Sequence, residues 1–120
     1  MITVLVIEDN LDFQKVLVTW LYLENFFVLT AENGAVGLQM IRTEQPDMVL
    51  CDLHMPILDG MSLLKLIRQE PKIANTFFFI MTAGYEDAAY QEAQRYRVDG
   101  WIDKSRIWER IPEIIAGRFR

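Results

Sequence analysis

Short, unbroken apolar runs recur along this chain at spacings that leave room for one helix between each pair, and no other property restricts its fold as much. ITVLVI at 2–7, FFVLTA at 26–31, MVLC at 48–51 and FFFIM at 77–81 are rich in β-branched and aromatic residues and carry no helical period. Continuous rather than alternating apolarity marks strands covered on both faces. GWI at 100–102 is a weaker fifth run. Between the first two runs, Phe13, Val16, Leu17, Trp20 and Leu21 recur at i, i+3, i+4, i+7 and i+8, the stripe of a core-facing helix. Further helices are predicted at about 34–44, 61–69, 86–96 and 108–117, the last with Ile111, Ile114 and Ile115 on one face. If that helix starts near Trp108 or Glu109, Pro112 falls in its first turn, where a missing N–H has no partner to lose. Strand and helix thus alternate through short connections, which predicts an α/β fold: a doubly wound, five-stranded parallel sheet with five helices on its two faces.

A chain of 120 residues can bury about two thirds of its unfolded surface and hold one core, so residues 1–120 are expected to form a single domain. The N-terminus looks natural, since Met1 stands directly before the first strand. A net charge of −5 excludes a general attraction to nucleic acid or to an anionic membrane, and the only basic cluster is Arg118 with Arg120 at the C-terminus. The single cysteine, Cys51, cannot close an internal disulfide, and no Cys/His cluster has zinc spacing. The chain therefore reads as cytoplasmic and free of structural zinc. The N-terminal apolar run of six residues ends at two acids, too short to span a membrane and without the charged start of a signal peptide.

Ligands of open parallel sheets bind outside the carboxyl ends of the strands, so the residues standing there are read together. The first strand ends in Glu8 and Asp9, the third in Asp52, the fourth in Thr82, and the fifth leads to Lys104. Singly, each has an ordinary explanation as a helix cap, a turn residue or a solvated lysine. Together they form an acid cluster whose members raise one another's pKa unless a cation compensates. Oxygen ligands without histidine or cysteine side chains suit Mg²⁺ or Mn²⁺. A carboxylate beside such an ion and a lysine, with a threonine hydroxyl in reach, is equipped to attack a phosphoryl group.

VLVIEDN, VLCDLHMPILDG, FFFIMTAG and WIDK, in this order and spacing, resemble the receiver domain of response regulators in two-component signal transduction systems, over essentially the whole chain. The resemblance implies the flavodoxin-like receiver fold with strand order 2-1-3-4-5. It makes Asp52 the acceptor of a phosphoryl group from a histidine kinase or histidine phosphotransfer protein. It further implies that Asp9 and Asp52 bind Mg²⁺ directly, Glu8 through water and His54 through its backbone carbonyl. Lys104 would pair with the phosphoryl group, Thr82 would be the switch hydroxyl, and Met55, Pro56, Asp59 and Gly60 would shape the loop behind Asp52. The signal would pass, through the face of the fourth helix, fifth strand and fifth helix, to a downstream protein or fused output domain, with a homodimer as a further partner. Neither nucleic acid nor a membrane is implied as a direct ligand, and chemistry beyond self-phosphorylation and self-dephosphorylation is not implied.

Two positions depart from the family pattern. Trp101 stands where the family usually has a tyrosine or phenylalanine that changes rotamer. Ser105 follows Lys104 where a proline in a cis bond is common, and a non-proline cis bond costs about 2.5–4 kcal/mol, so a trans loop or a strained one is expected. His54 and Gly84 occupy the positions that tune access of water to the acyl phosphate; Gly84 should leave the mouth open and phosphate loss not unusually slow. The His54 side chain is expected to face solvent, Cys51 to be a buried hydrophobe, and Trp20 and Phe77–Phe79 to be core. Two other readings carry weight from the residues: an interaction module of the same fold not controlled by phosphate, which Trp101 and Ser105 allow, and a haloacid dehalogenase-type phosphatase. The phosphatase fits less well, since its nucleophile resembles a D-x-D pair after the first strand, whereas Asp52 is followed two residues on by His54 and the chain has no room for a cap. An FMN-binding flavodoxin-like protein fits worse still, because Glu8 and Asp9 stand where its phosphate would lie.

Overall fold

Each of the five apolar runs forms a strand in the computed structural model, which describes residues 1–119. The order along the chain is β1 (Thr3–Ile7), α1 (Leu11–Leu23), β2 (Phe27–Ala31), α2 (Gly34–Glu44), β3 (Met48–Asp52), α3 (Gly60–Gln69), β4 (Phe78–Thr82), α4 (Asp87–Arg95), β5 (Gly100–Asp103) and α5 (Ile107–Phe119). All strands pair in parallel in the order β2-β1-β3-β4-β5, as the resemblance implied.

Successive residues of a strand point to opposite faces, and the sequence supplies apolar side chains for both. Leu5, Ile7, Val49, Cys51, Phe78 and Ile80 point to one side, where Ile41 of α2, Leu63, Leu64 and Ile67 of α3 and Ala93 of α4 cover them. Val4, Val6, Met48, Leu50, Phe79, Met81 and Ile102 point to the other, packed against Leu17 and Leu21 of α1 and Ile107, Ile111 and Ile115 of α5. The continuous apolarity of β1, β3 and β4 is therefore that of strands buried on both faces. β2 differs: it is the sheet's edge, its central residues are half-buried or exposed, and Phe27 is solvent-facing.

Three helices start at side-chain caps. Asn10 accepts from Phe13 N, Asn33 from Val36 N and Asp59 from Ser62 N, each satisfying an otherwise unpaired first-turn N–H. On α1 the buried face is Gln14, Leu17 and Leu21; Val16 points to solvent, and Trp20 is only half-buried, edge-on to Trp108 with ring centroids 5.6 Å apart. Phe77 is likewise half-buried, whereas Phe78 and Phe79 are core. α5 begins earlier than its sequence pattern indicates. A 3₁₀ turn at Lys104–Arg106 runs straight into Ile107, so Pro112 sits inside the helix and not in its first turn. Burial of Ile107, Ile111 and Ile115 along one face holds the helix through the hydrogen bond that Pro112 cannot donate. Of the C-terminal basic pair, Arg118 stacks its guanidinium over Phe77 at 4.8 Å from the ring centroid, and Arg120 lies outside the described residues.

At the sheet's amino edge, Arg68 at the end of α3 ties together the two loops that follow α3 and α4. Its guanidinium donates to the carbonyls of Tyr96 (2.9 Å), Ala74 (3.0 Å), Thr76 (2.7 Å) and Arg97 (2.8 Å), and to Asp99 Oδ2 (3.2 Å). Asp99 in turn accepts from Phe78 N at 2.8 Å, which fixes the start of β4. Burial lowers the Arg68 pKa, partly offset by Asp99. Among the described residues no helix is long and apolar enough to cross a membrane.

Candidate functional site

Parallel register brings the carboxyl ends of β1, β3, β4 and β5 to one edge, with Ile7 beside Cys51, Asp52 beside Met81 and Thr82 beside Asp103. Glu8, Asp9, Asp52, Thr82 and Lys104 all stand there, as the sequence indicated.

Glu8 follows β1 with its side chain wholly buried. Its backbone is held by Gln14, whose amide donates to the carbonyls of Glu8 (3.1 Å) and Ala31 (3.3 Å) and so ties the ends of β1 and β2. Glu8 Oε2 accepts from Asn10 N at 3.2 Å. Oε1 lies 2.7 Å from Lys104 Nζ, which is its countercharge. Burial, opposed by Lys104 and reinforced by Asp52, raises the Glu8 pKa from 4.5 to about 7.

Asp52, 8% exposed, places Oδ2 3.3 Å from the same ammonium. Lys104 also sits over the Phe13 ring at 4.8 Å from its centroid, a cation–π contact from α1. Burial opposes the charge on Lys104, but Glu8 and then Asp52 outweigh it and raise its pKa above the usual value. Desolvation, with Asp52 and Glu8 adding, pushes the buried Cys51 thiol far up and leaves it inert.

One carboxylate oxygen from each of Glu8, Asp9 and Asp52 lies within 4.8 Å of the other two. Three converging hard carboxylate donors fit a small divalent cation such as Mg²⁺ or Mn²⁺.

The loop behind Asp52 is built by its own sequence. Leu58 N donates to the Pro56 carbonyl at 2.8 Å with Ile57 at φ 72°, a γ-turn that strains a β-branched residue. The Asp-Gly pair that follows is not a turn: Asp59 is the cap of α3 and Gly60 its first residue. A Cβ on Gly60 would lie 2.4 Å from the Asp52 carbonyl oxygen, so only glycine lets α3 start against the strand that carries Asp52.

Thr82 is 3% exposed, and its hydroxyl is engaged within its own loop, donating to Gly84 O at 2.8 Å and accepting from Gly84 N at 3.3 Å. Gly84 itself faces open space. The His54 side chain is solvent-facing, but it is not free: Nε2 lies 2.6 Å from Glu86 Oε2. Trp101 is half-buried and packs edge-on to Tyr90, centroids 5.7 Å apart, and Tyr90 in turn meets Tyr85 at 5.9 Å. Among the described residues no peptide bond is cis, so Lys104–Ser105 is trans. The N–H that a proline would lack is used there: Ser105 N and Oγ donate to Asp103 Oδ1 at 2.9 and 2.8 Å, opening the 3₁₀ turn and lowering the Asp103 pKa.

Sequence reasoning passed over Phe13, Gln14 and Glu86. Gln14 carried a signal, since it precedes Leu17 and Leu21 by three and seven residues and so shares their buried face. Glu86 and Phe13 meet their partners only across the fold; Phe13 shows in the sequence only as a member of the α1 stripe, and nothing local marks Glu86.

The strand order and the acids gathered at its carboxyl edge define a flavodoxin-like fold of the signalling receiver class. A family model described as the response regulator receiver domain matches residues 4–116, and the chain belongs to that family, a signalling domain rather than a classical enzyme. The chain is similar to the probable C4-dicarboxylate response regulator DctR of Priestia megaterium, 31% identical over 94% of this chain and 50% of that protein. It is also similar to the transcriptional regulatory protein CpxR homolog of Haemophilus influenzae, 40% identical over 69% of this chain and 35% of that protein. It thus spans half or less of the length of these relatives. Among solved structures, the chemotaxis protein CheY4 of Vibrio cholerae shares the fold at TM-score 0.88 and 21% identity, covering 98% of both chains. A LuxR-family DNA-binding response regulator of Staphylococcus aureus matches at TM-score 0.87 and 25% identity, again over 98% of both.

Proposed function

We propose that residues 1–120 act as one receiver unit that accepts a phosphoryl group on Asp52 from the phosphohistidine of a histidine kinase or phosphotransfer protein. The observation that carries this reading is the placement of Asp52: a nearly buried carboxylate 3.3 Å from Lys104 Nζ and within 4.8 Å of the carboxylates of Glu8 and Asp9. An Asp52 oxygen attacks phosphorus, the P–N bond breaks, and its electron pair stays on the donor imidazole. Lys104 is positioned to neutralise charge gathering on the phosphoryl oxygens, while Phe13 beneath it limits where the ammonium can go. Asp9 and Asp52 directly, Glu8 through water and the His54 carbonyl would hold Mg²⁺, which when bound supplies charge neutralisation to the transferred group. Thr82 would exchange its hydrogen bonds to Gly84 for one to the phosphoryl group, with Trp101 as the aromatic member of the switch. The signal would then reach a downstream protein, a fused output domain or a second copy of the chain. That several relatives are transcriptional regulators, and one from Dictyostelium discoideum a hybrid signal transduction histidine kinase, supports an output lying elsewhere in a longer assembly.

The test is incubation with Mg²⁺ and acetyl phosphate, followed by intact mass. Wild type should gain one phosphoryl group and Asp52→Asn none; no adduct on wild type, or an equal adduct on the variant, would overturn the reading.

A further inference from the structure

β2 ends the sheet on one side, and its free edge is unguarded. Natural edge strands are blunted by lysine, proline, a bulge or a covering loop, because an open row of N–H and C=O groups is a template for another strand. FVLTA carries no charge and no proline, and its ladder with β1 runs in unbroken register from Phe27 to Ala31. Phe27 N donates to the Ile2 carbonyl and the Ala31 carbonyl accepts from Glu8 N, so Phe27, Leu29 and Ala31 turn their backbone groups to β1. The residues between them turn theirs the other way, and Val28 and Thr30 present N–H and C=O along the open edge. Beside that edge runs a groove whose walls include Val18, Tyr22 and Leu23 of α1 and Phe26, Phe27 and Val28. Tyr22, Leu23 and Phe27 are each more than half exposed, and an apolar patch of this kind marks an interaction surface.

We propose that this edge pairs with the β2 edge of a second copy of the chain, antiparallel across a two-fold axis at Leu29, joining two five-stranded sheets into one. The occupant is a second copy because the strand fits itself. With the axis at Leu29, Val28 faces the partner's Thr30, and Thr30 faces the partner's Val28. These are the residues whose groups point outward, so each pair exchanges both of its hydrogen bonds across the axis. Leu29 meets the partner's Leu29 as the close pair without hydrogen bonds, and Phe27 lies opposite the partner's Ala31, large against small. Such an axis is perpendicular to the sheet, so the two α1 helices lie on the same face and the two grooves close on each other. Charge permits this contact where it opposes others. Copies of a chain of net charge −5 repel one another, but β2 brings no charge to the axis. Glu32 falls opposite the partner's Phe26, and the two Glu32 side chains stand ~20 Å apart along the strands, about two Debye lengths at 0.1 M salt. Asp52 lies two strands inward on β3, so the pairing needs no phosphoryl group and does not rest on the phosphoacceptor reading.

The experiment follows the mass of the full chain by sedimentation equilibrium, without a phosphodonor, over a concentration series reaching the millimolar range. Wild type should pass from monomer to dimer. Thr30→Pro removes an N–H that β1 does not use, so the fold should stand by circular dichroism, while association weakens about thirtyfold because each copy loses one donor. Thr30→Lys keeps the backbone and should weaken association too, since edge lysines oppose strand pairing. Leu29→Cys should cross-link under mild oxidation, because Cα atoms of a close antiparallel pair stand about 4.5 Å apart. Phe27→Cys, ~13 Å from the same position in the partner, should not. Cys51 is buried and does not compete. A wild type that stays monomeric, a dimer undiminished in both Thr30 variants, or cross-linking of Phe27→Cys as fast as Leu29→Cys would overturn the proposal.

Discussion

Gly60→Ala is the sharpest test of how the fold positions Asp52. The added methyl would lie 2.4 Å from the Asp52 carbonyl oxygen, 3.1 Å from Leu53 Cα and 3.2 Å from the Asp52 carbonyl carbon, against 3.4–4 Å for ordinary contact. All three neighbours are backbone atoms, so no rotamer relieves the clash, and strand and helix must part by about one ångström. Two bonds resist that movement: Gly60 N donates to Leu53 O at 2.9 Å, and Leu53 N to Met81 O at 2.9 Å. Overpacking of this kind costs about 1–3 kcal/mol, more than the roughly 1 kcal/mol that alanine gains over glycine inside a helix. Because the displaced atoms belong to Asp52 itself, phosphorylation should suffer too, by on the order of a hundredfold for a shift of about one ångström. Gly117→Ala is the matched control, since its Cβ meets nothing within 4 Å and the change should stabilise α5 slightly. Urea unfolding would give the stability change and acetyl phosphate loading the rate. A Gly60→Ala protein as stable as wild type and phosphorylated at the same rate would refute the close-approach argument.

Two further outcomes follow from the charges. Glu8 has its pKa raised from 4.5 to about 7, so between those values the folded chain binds a proton that the unfolded chain has released, and stability must fall as pH rises through this window. In metal-free protein the loss from this group should reach about 3 kcal/mol by pH 8; Glu8→Gln should flatten that part of the profile, and urea midpoints at pH 5 and pH 8 with a chelator present would check it. At the opposite edge, Arg68→Met removes a guanidinium that serves four carbonyls and Asp99, and should cost about 3–5 kcal/mol in urea unfolding, as expected for breaking a buried pair; a cost below 1 kcal/mol would show that water replaces it.

The strands were legible in the sequence because a parallel sheet buried on both faces leaves an unbroken apolar run, as in β3 and β4, and an amphipathic helix leaves a stripe, as in α1. The acids at the strand ends were legible for the same reason: once the strands are placed, their carboxyl ends are placed with them. What stayed hidden is contact across the fold. Arg68 looks like any solvated helical arginine until two loops deliver their carbonyls to it. The meeting of Glu86 with His54 depends on two loops whose conformations no local pattern fixes. Glu8 and Lys104 were each expected at the edge, but their direct pairing follows from Glu8 being wholly buried, which an acid after a strand does not announce. The start of α5 was misplaced because Pro112 argues locally for a later beginning, whereas burial of Ile107 decides the matter.

α4 is held unlike any other helix here. Ala93 is its one buried residue, and no side chain closes its amino end. Little apolar surface would be exposed by tilting it, so its orientation is worth little free energy to the rest of the chain. The molecule therefore has a stiff frame, riveted at the amino edge of the sheet, and one compliant pointer attached to the β4 loop. A modest difference in affinity arriving at that loop can reset a pointer where it could not reset a frame.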